Sequence, residues 1–215
     1  MYLIVDIFNI NPLKGNFMLY FTSDCHFGHK NSIQYCNRPF ESVEDMDKGL
    51  IERWNDVVKQ DDEVWQLGDF TFHHNIEKII HIIERLNGRK NAIIGNHDQV
   101  IKKNRQLLLD RGLFREIVDR KELTAVDDGV KHKIILDHYP GRSWNYSSHG
   151  SWQLHGHVHG TMEPYGRSVD VGVDAPWVTG EAPYRPLSYT EIAEYMKTRP
   201  LLNEFEKKGD RAVVM

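Results

Sequence analysis

A chain of 215 residues is long enough for one well-filled domain and short for two. With 40% hydrophobic and 27% charged residues and a formal charge of -4, its composition is that of a soluble globular protein without the basic excess of a nucleic-acid binder. No apolar run approaches the roughly 20 residues that span a bilayer, which excludes a membrane-spanning helix.

The opening 17 residues admit two readings. Leu3 to Ile10 is apolar but interrupted by Asp6 and Asn9, and no basic segment precedes it, so it does not fit a signal peptide. Asn11-Pro12 and Lys14-Gly15-Asn16 then form a turn signal. Either this leader pairs as an extra edge strand, or the domain starts at Met18 and residues 1–17 are dispensable. The second is preferred, because Met18 opens directly into an apolar strand that ends at Ser23. Ser42 begins a helix in which Val43, Met46, Leu50, Trp54 and Val57 recur at helical spacing, with Ser42 and Asp45 resembling a capping box. Glu63 to Leu67 reads as a strand, Ile76, Ile79, Ile80 and Ile83 as a helix face stopped by Asn87-Gly88, and Ala92 to Ile94 as a third strand. A helix is expected from Val100 to Asp110. Alternating strand and helix point to an α/β sheet with its site at the carboxyl edge.

Beyond that helix the pattern becomes strand-rich. Leu123 to Val126 and Lys133 to Leu136 flank Asp127-Asp128-Gly129, a hairpin turn signal, and further strands are expected at Trp152 to Leu154 and Arg167 to Val173. The second half is therefore expected to be largely antiparallel. Ser188 and Glu191 form a second capping box, opening a helix to about Met196. The domain is bounded at 18–200, and the charged residues from 201 to 215 read as a tail.

Five short motifs punctuate these elements: Asp24-Cys25-His26, Gly68-Asp69, Gly95-Asn96-His97-Asp98, His138, and Gly156-His157-Val158-His159. They take five of the twelve histidines and stand near the ends of expected strands. Carboxylate, amide and imidazole without thiolate suit divalent ions that activate water. In an extended segment residues i and i+2 point the same way, so Asp24 and His26 can converge while Cys25 faces inward, and His157 and His159 can converge with Val158 turned to the core. Gly68, Gly95 and Gly156 each precede a ligand, where a missing Cβ permits close backbone approach. Cys25 and Cys36 form no C-x-x-C pair, which fits free thiols in a reducing, cytoplasmic setting. Cys25 reads as a small buried hydrophobe, since no dedicated base stands beside it.

In order and chemistry these motifs, from about Phe21 to His159, resemble the calcineurin-like metallophosphoesterases, in particular their small bacterial and phage members. The resemblance implies an α/β fold of two packed β-sheets flanked by helices, a four-layer α/β/β/α sandwich. It implies Asp24, His26 and His159 on one divalent ion, Asn96, His138 and His157 on a second, and Asp69 bridging them. Manganese or iron is the expected metal, with zinc, nickel or cobalt as alternatives. His97 is expected to protonate the leaving group, with Asp98 orienting its ring. His29, Arg38 and Arg142 are candidates to bind substrate, Arg38 through a bidentate fork on phosphate. His73, His74 and Trp144 are weaker candidates, each also readable as loop or surface.

The function implied is hydrolysis of phosphodiester bonds in a small or nucleotide-like substrate by direct attack of metal-bound hydroxide. A phosphomonoesterase or a nucleotide pyrophosphohydrolase is the alternative, followed by a non-catalytic scaffold on the same fold. The partner expected is a small phosphoester, with no membrane and no strong nucleic-acid signal, and the sequence specifies no oligomeric state.

Overall fold

Two five-stranded sheets face each other across an apolar layer, and strand alternation dictates which side chains fill it. A computed structural model describes residues 6–9, as backbone, and residues 17–202. The first sheet contains β2 (Leu19–Thr22), β3 (Glu63–Gln66), β4 (Arg89–Ile93), β5 (Ile117–Val118) and β10 (Leu187–Ser188) in the order β10-β2-β3-β4-β5. β2 to β5 run parallel, and β10 lies antiparallel at the edge. The connections carry α1 (Lys30–Tyr35), α2 (Val43–Val57), α3 (Ile76–Arg85), α4 (Gln99–Lys103) and α5 (Arg105–Asp110). Successive crossovers of one hand that advance in one direction put their helices on one face of a sheet.

Because side chains alternate along a strand, each strand of this sheet serves two cores. Tyr20, Val64 and Ala92 face Met46, Leu50, Trp54, Ile79 and Ile83 of the helices. Leu19, Phe21, Trp65, Leu67 and Ile93 face the second sheet. Ser42 caps α2 by accepting the amide of Asp45, and Asn75 caps α3 by accepting those of Glu77 and Lys78. The expected helix from Val100 to Asp110 is instead two short helices that meet at Asn104. The Asn104 side chain donates to the carbonyl of Val100, a local bond that competes with helix continuation.

The second sheet has the order β1-β6-β7-β8-β9, from β1 (Asp6–Asn9), β6 (Arg120–Asp127), β7 (Val130–Asp137), β8 (Trp152–His155) and β9 (Ser168–Asp170). Among the described residues of this sheet only β6 and β7 form an antiparallel strand pair, the hairpin read from Asp127-Asp128-Gly129. β7, β8 and β9 are mutually parallel and β1 runs parallel to β6, so the expectation of a largely antiparallel second half is corrected. The segments between β7, β8 and β9 are long enough to cross back, and crossing back makes neighbours parallel. β1 pairs at the sheet edge, as in the first of the two readings of the leader, while 1–5 and 10–16 lie outside the described residues, as does the tail from 203 to 215.

Leu123, Ala125, Ile134, Leu136, Trp152, Leu154, Val169 and Val171 complete the intersheet layer. α6 (Tyr189–Lys197), opened by the Ser188–Glu191 capping box, adds Ile192 and Met196 to it. On its outer face the second sheet packs Ile135 against Trp144 and Leu202. Among the described residues no helix is long and apolar enough to cross a membrane. The parallel runs β2–β4 and β7–β9 end along adjoining edges of the two sheets. Phe21, fully buried between them, measures how much the layer contributes. Phe21→Ala is expected to cost about 3–5 kcal/mol in denaturant-induced unfolding. A cost below about 1 kcal/mol would mean that the intersheet layer is not the core.

Candidate metal centre

All seven expected ligands gather where the strands of both sheets end. β2 delivers Asp24 and His26, β3 delivers Asp69, β4 delivers Asn96, β7 delivers His138, and β8 delivers His157 and His159. The sheets are joined here: Ser23 bridges Gly172, and the amide of Val173 donates to the Ser23 carbonyl at 3.1 Å. The His157 amide donates to Asp24 Oδ2 at 2.9 Å, so a carboxylate from one sheet is aimed by backbone from the other. A Cβ at Gly156 would collide with Ser23 and Asp24, which is why glycine precedes His157. Gly68 sits at φ +101°, and a Cβ there would strike the His138 ring.

The ligand loops are not extended, contrary to the expectation from i, i+2 spacing. Asp24, His26, Asp69, His157 and His159 all have positive φ, between 48° and 72°. This left-handed region costs a non-glycine residue about 1 kcal/mol or more, and such residues cluster at functional sites. Cys25 is buried as expected, and burial pushes its thiol up to about 12. Val158 is not in the core; with the chain turned left-handed on both sides, it lines the cleft over the site.

Two groups of side chains can each hold a metal ion. Asp24, His26 and His159 offer ligand atoms within 4.8 Å of one another, and so do Asp69, His138 and His157. Asp69 Oδ2 lies 3.6 Å from both His26 Nε2 and His138 Nε2, between the groups. Asn96 Oδ1 lies 3.0 Å from His138 Nε2 and 3.0 Å from His157 Nδ1. The protonation of His26 and His138 favours coordination. Burial holds His26 down to about 2, helped by neighbouring cationic groups, and burial also lowers His138, so both rings are neutral. His138 Nδ1 donates to the Leu67 carbonyl at 2.8 Å, which leaves Nε2 as a lone pair aimed at two oxygens. Burial pushes Asp24 well above the usual carboxylate range, and its Oδ1 is buried with no hydrogen-bond partner. Lone pairs facing lone pairs, and an orphaned carboxylate oxygen, call for a cation between them.

His159 shows the same demand. Burial opposes its charged form, but the 2.7 Å bond to Asp174, the contact with Cys36 and the charge of Asp24 outweigh burial and raise it to about 11. Nδ1 held by a carboxylate, with Nε2 directed 3.9 Å from Asp24 Oδ1, is the orientation of a metal-bound imidazole. Sequence did not place Asp174, Asp170 or Cys36, the last read only as a free thiol, at the site. Asp170 accepts the amides of Gly160 and Gly172 and so shapes the His159 loop. The visible signal was Asp170 and Asp174 spaced around Gly172, at the end of an expected strand. Cys36 Sγ lies 3.4 Å from His159 Nδ1, and Cys36, His159 and Asp174 form a third candidate metal group.

Several expected roles are corrected. Arg38 does not face substrate: its side chain is fully buried, with Nε and Nη2 on Asp174 at 2.8 Å each, Nη1 on the Cys25 carbonyl and Nη2 on the Asp24 carbonyl. Asp98 does not orient the His97 ring; its carboxylate accepts the amides of Asp69, Phe70 and Gly95. Arg142 is exposed over the Tyr165 ring, 5.1 Å from its centroid, and lines no part of the site cleft. Trp144 is buried with its indole donating to Ser151, His74 is exposed, and His73 faces Asp47 in a separate groove. His97 and His29 do line the cleft, whose volume is about 490 Å³. The His97 side chain is 41% exposed, its Nε2 4.0 Å from Asp69 Oδ2.

No protein-family model matches the chain. The uncharacterized protein MJ1445 of Methanocaldococcus jannaschii is 34% identical over 187 residues, covering 83% of this chain and 91% of that protein. The Gene 66 protein of Mycobacterium phage L5 is 31% identical over 180 residues, covering 73% of this chain and 86% of that protein. Among solved structures, the protein of unknown function AQ665 from Aquifex aeolicus matches with a TM-score of 0.60 at 27% identity, covering 83% of this chain and 99% of that one.

The buried Arg38–Asp174 pair yields a direct test. Removing one partner of such a pair leaves a charge uncompensated, so Arg38→Ala should lower unfolding free energy by about 3–5 kcal/mol. Unchanged stability with impaired ligand binding would return Arg38 to the substrate.

Proposed function

The chain belongs to one family with the M. jannaschii protein MJ1445 and the phage L5 Gene 66 protein, and we propose that its site hydrolyses phosphodiesters with two divalent ions. The observation that carries this reading is the convergence of acceptors: Asp69 Oδ2 between two imidazoles, with the unpartnered Asp24 Oδ1 beside His159. Asp24, His26 and His159 would hold one ion, Asn96, His138 and His157 the other, and Asp69 would serve both. The mixed oxygen and imidazole set suits manganese or iron, with zinc, nickel or cobalt also compatible. Ions bound there supply positive charge that acidifies water and neutralises phosphate oxygens. The two-sheet frame, with helices outside the first sheet, supports the metallophosphoesterase sandwich that the motifs resemble.

His97 is the residue placed for proton transfer. It follows the ligand Asn96, its backbone amide is fixed on Asp69 Oδ1 at 2.8 Å, and its ring opens into the cleft. From there it protonates the departing alkoxide. Asp98 positions it indirectly, by tying the β3 and β4 loops through three amides. Burial raises that carboxyl to about 6 despite those amide bonds, so at neutral pH it is largely ionised. With Arg38 sequestered, no Lys or Arg among the described residues lines the cleft. That favours a diester, with one negative charge, over a monoester with two.

Asp69→Asn is expected to impair turnover of bis-(p-nitrophenyl) phosphate more than His159→Ala, because Asp69 serves both groups. The sharper readout is His97→Ala, which should keep its metals and slow hydrolysis by roughly 10²–10⁴-fold. Alkyl or nucleoside leaving groups should suffer more than p-nitrophenolate, which departs without a proton, giving a steeper dependence of rate on leaving-group pKa. Equal slowing across that series would remove His97 as the acid, and absence of any metal-dependent turnover would favour a scaffold.

A further inference from the structure

One wall of the cleft is aromatic, and it lies beside the ligands rather than among them. Phe72 follows the bridging Asp69 by three residues and stacks on His29 with centroids 3.9 Å apart and planes within 8°. That contact fixes the orientation of the Phe72 ring, and the His97 ring lies 5.1 Å away. Tyr35, the last residue of α1, lines the same cleft and is 75% exposed. Its ring and hydroxyl make no ring contact or hydrogen bond among the described residues. Val158, turned outward by the left-handed residues on either side of it, adds an apolar side chain to the lining. Tyr35, exposed beside a polar centre with no ring or hydrogen-bond partner among the described residues, has no packing rationale there, and the half-buried Phe72 turns part of its ring to the same cleft.

From this wall we infer that the cleft recognises a mononucleoside ester, its flat base held against Tyr35 and Phe72 while a single phosphoryl group reaches the ligand cluster. Charge selects against larger relatives of that ligand. Among the described residues no Lys or Arg lines the cleft, and Arg38 is locked on Asp174. A polyphosphate would therefore find no cation for its additional groups, and a nucleic-acid strand would find no basic track along its backbone. Base stacking on an aromatic ring tolerates every base, since each has a π face, so selectivity should be for a base over none. The inference rests on the proposed phosphodiester chemistry for its phosphoryl subsite, while the aromatic wall stands apart from it.

Binding of adenosine 5′-monophosphate, the kind of product such a diester leaves, tests the inference. In calorimetric titrations of the manganese-loaded full chain it should bind about tenfold or more tightly than ribose 5-phosphate, the ratio expected from one good stacking contact. Tyr35→Ala, at an exposed position that does not threaten folding, should weaken the nucleotide by about tenfold and leave ribose 5-phosphate unchanged. Phe72→Leu should act in the same direction. Equal affinity for the two ligands in the parent protein, or a full nucleotide preference surviving in the Tyr35→Ala, Phe72→Leu double variant, would overturn the inference. Selective nucleotide binding without hydrolysis of any ester would contradict the proposed activity and uphold the aromatic subsite. Hydrolysis that ignores the presence of a base would do the reverse.

Discussion

Buried carboxylate charge without enough protein cation to balance it is the constraint around which this molecule is arranged. Asp24 and Asp69 are almost wholly removed from water at the seam between the sheets. The nearest permanent cation, Arg38, spends its side-chain donors on Asp174 and on the carbonyls of Cys25 and Asp24. Two of the imidazoles beside these carboxylates, His26 and His138, are kept neutral by the same burial, so they present lone pairs rather than charge. His159 differs, because its bond to Asp174, its contact with Cys36 and the charge of Asp24 outweigh burial and favour the charged ring. A divalent ion answers every one of these demands at once, whereas protonation answers them only in part.

That demand explains features that would otherwise be defects. Five ligand residues occupy the left-handed region, each at a cost of about 1 kcal/mol or more, and the strain persists because backbone bonds from both sheets over-determine the loops. The His157 amide on Asp24, the Leu67 carbonyl on His138 and the three amides on Asp98 are each 2.7–2.9 Å long, and all but the first are buried. They fix the candidate ligand atoms in place, which would reduce the reorganisation that binding an ion requires. The intersheet layer of Phe21, Trp65, Trp152 and Leu154 lies directly beneath, so packing and site geometry share the same strands.

Sequence made the clustering of the seven candidate residues legible because each motif follows an apolar strand, and strand ends are where an α/β sheet presents its site. The helices over 43–57 and 76–85 and the hairpin at Asp128 were equally readable, since caps, periodicity and turn residues agree locally. What depended on distant contacts was not. The parallel run β7–β8–β9 is set by how long segments return across the sheet, and no local signal records that. Arg38 could not be told from a phosphate-binding arginine without seeing Asp174, which is 136 residues away in sequence. Asp98 looked like a partner for the adjacent His97, yet its oxygens are claimed by amides from β3. Even the spacing argument for Asp24 and His26 reached the right convergence through the wrong backbone, because an extended conformation was assumed where alternate residues turn left-handed.

The central claim is that the seam holds a pair of ions bridged by one carboxylate. Elemental analysis of the full chain, saturated with manganese and freed of excess ion, addresses it directly. Two ions per chain are expected in the parent protein, with Asp69→Asn losing more metal than any other single ligand variant. One ion per chain, or a stoichiometry unchanged by Asp69→Asn, would contradict the bridged pair.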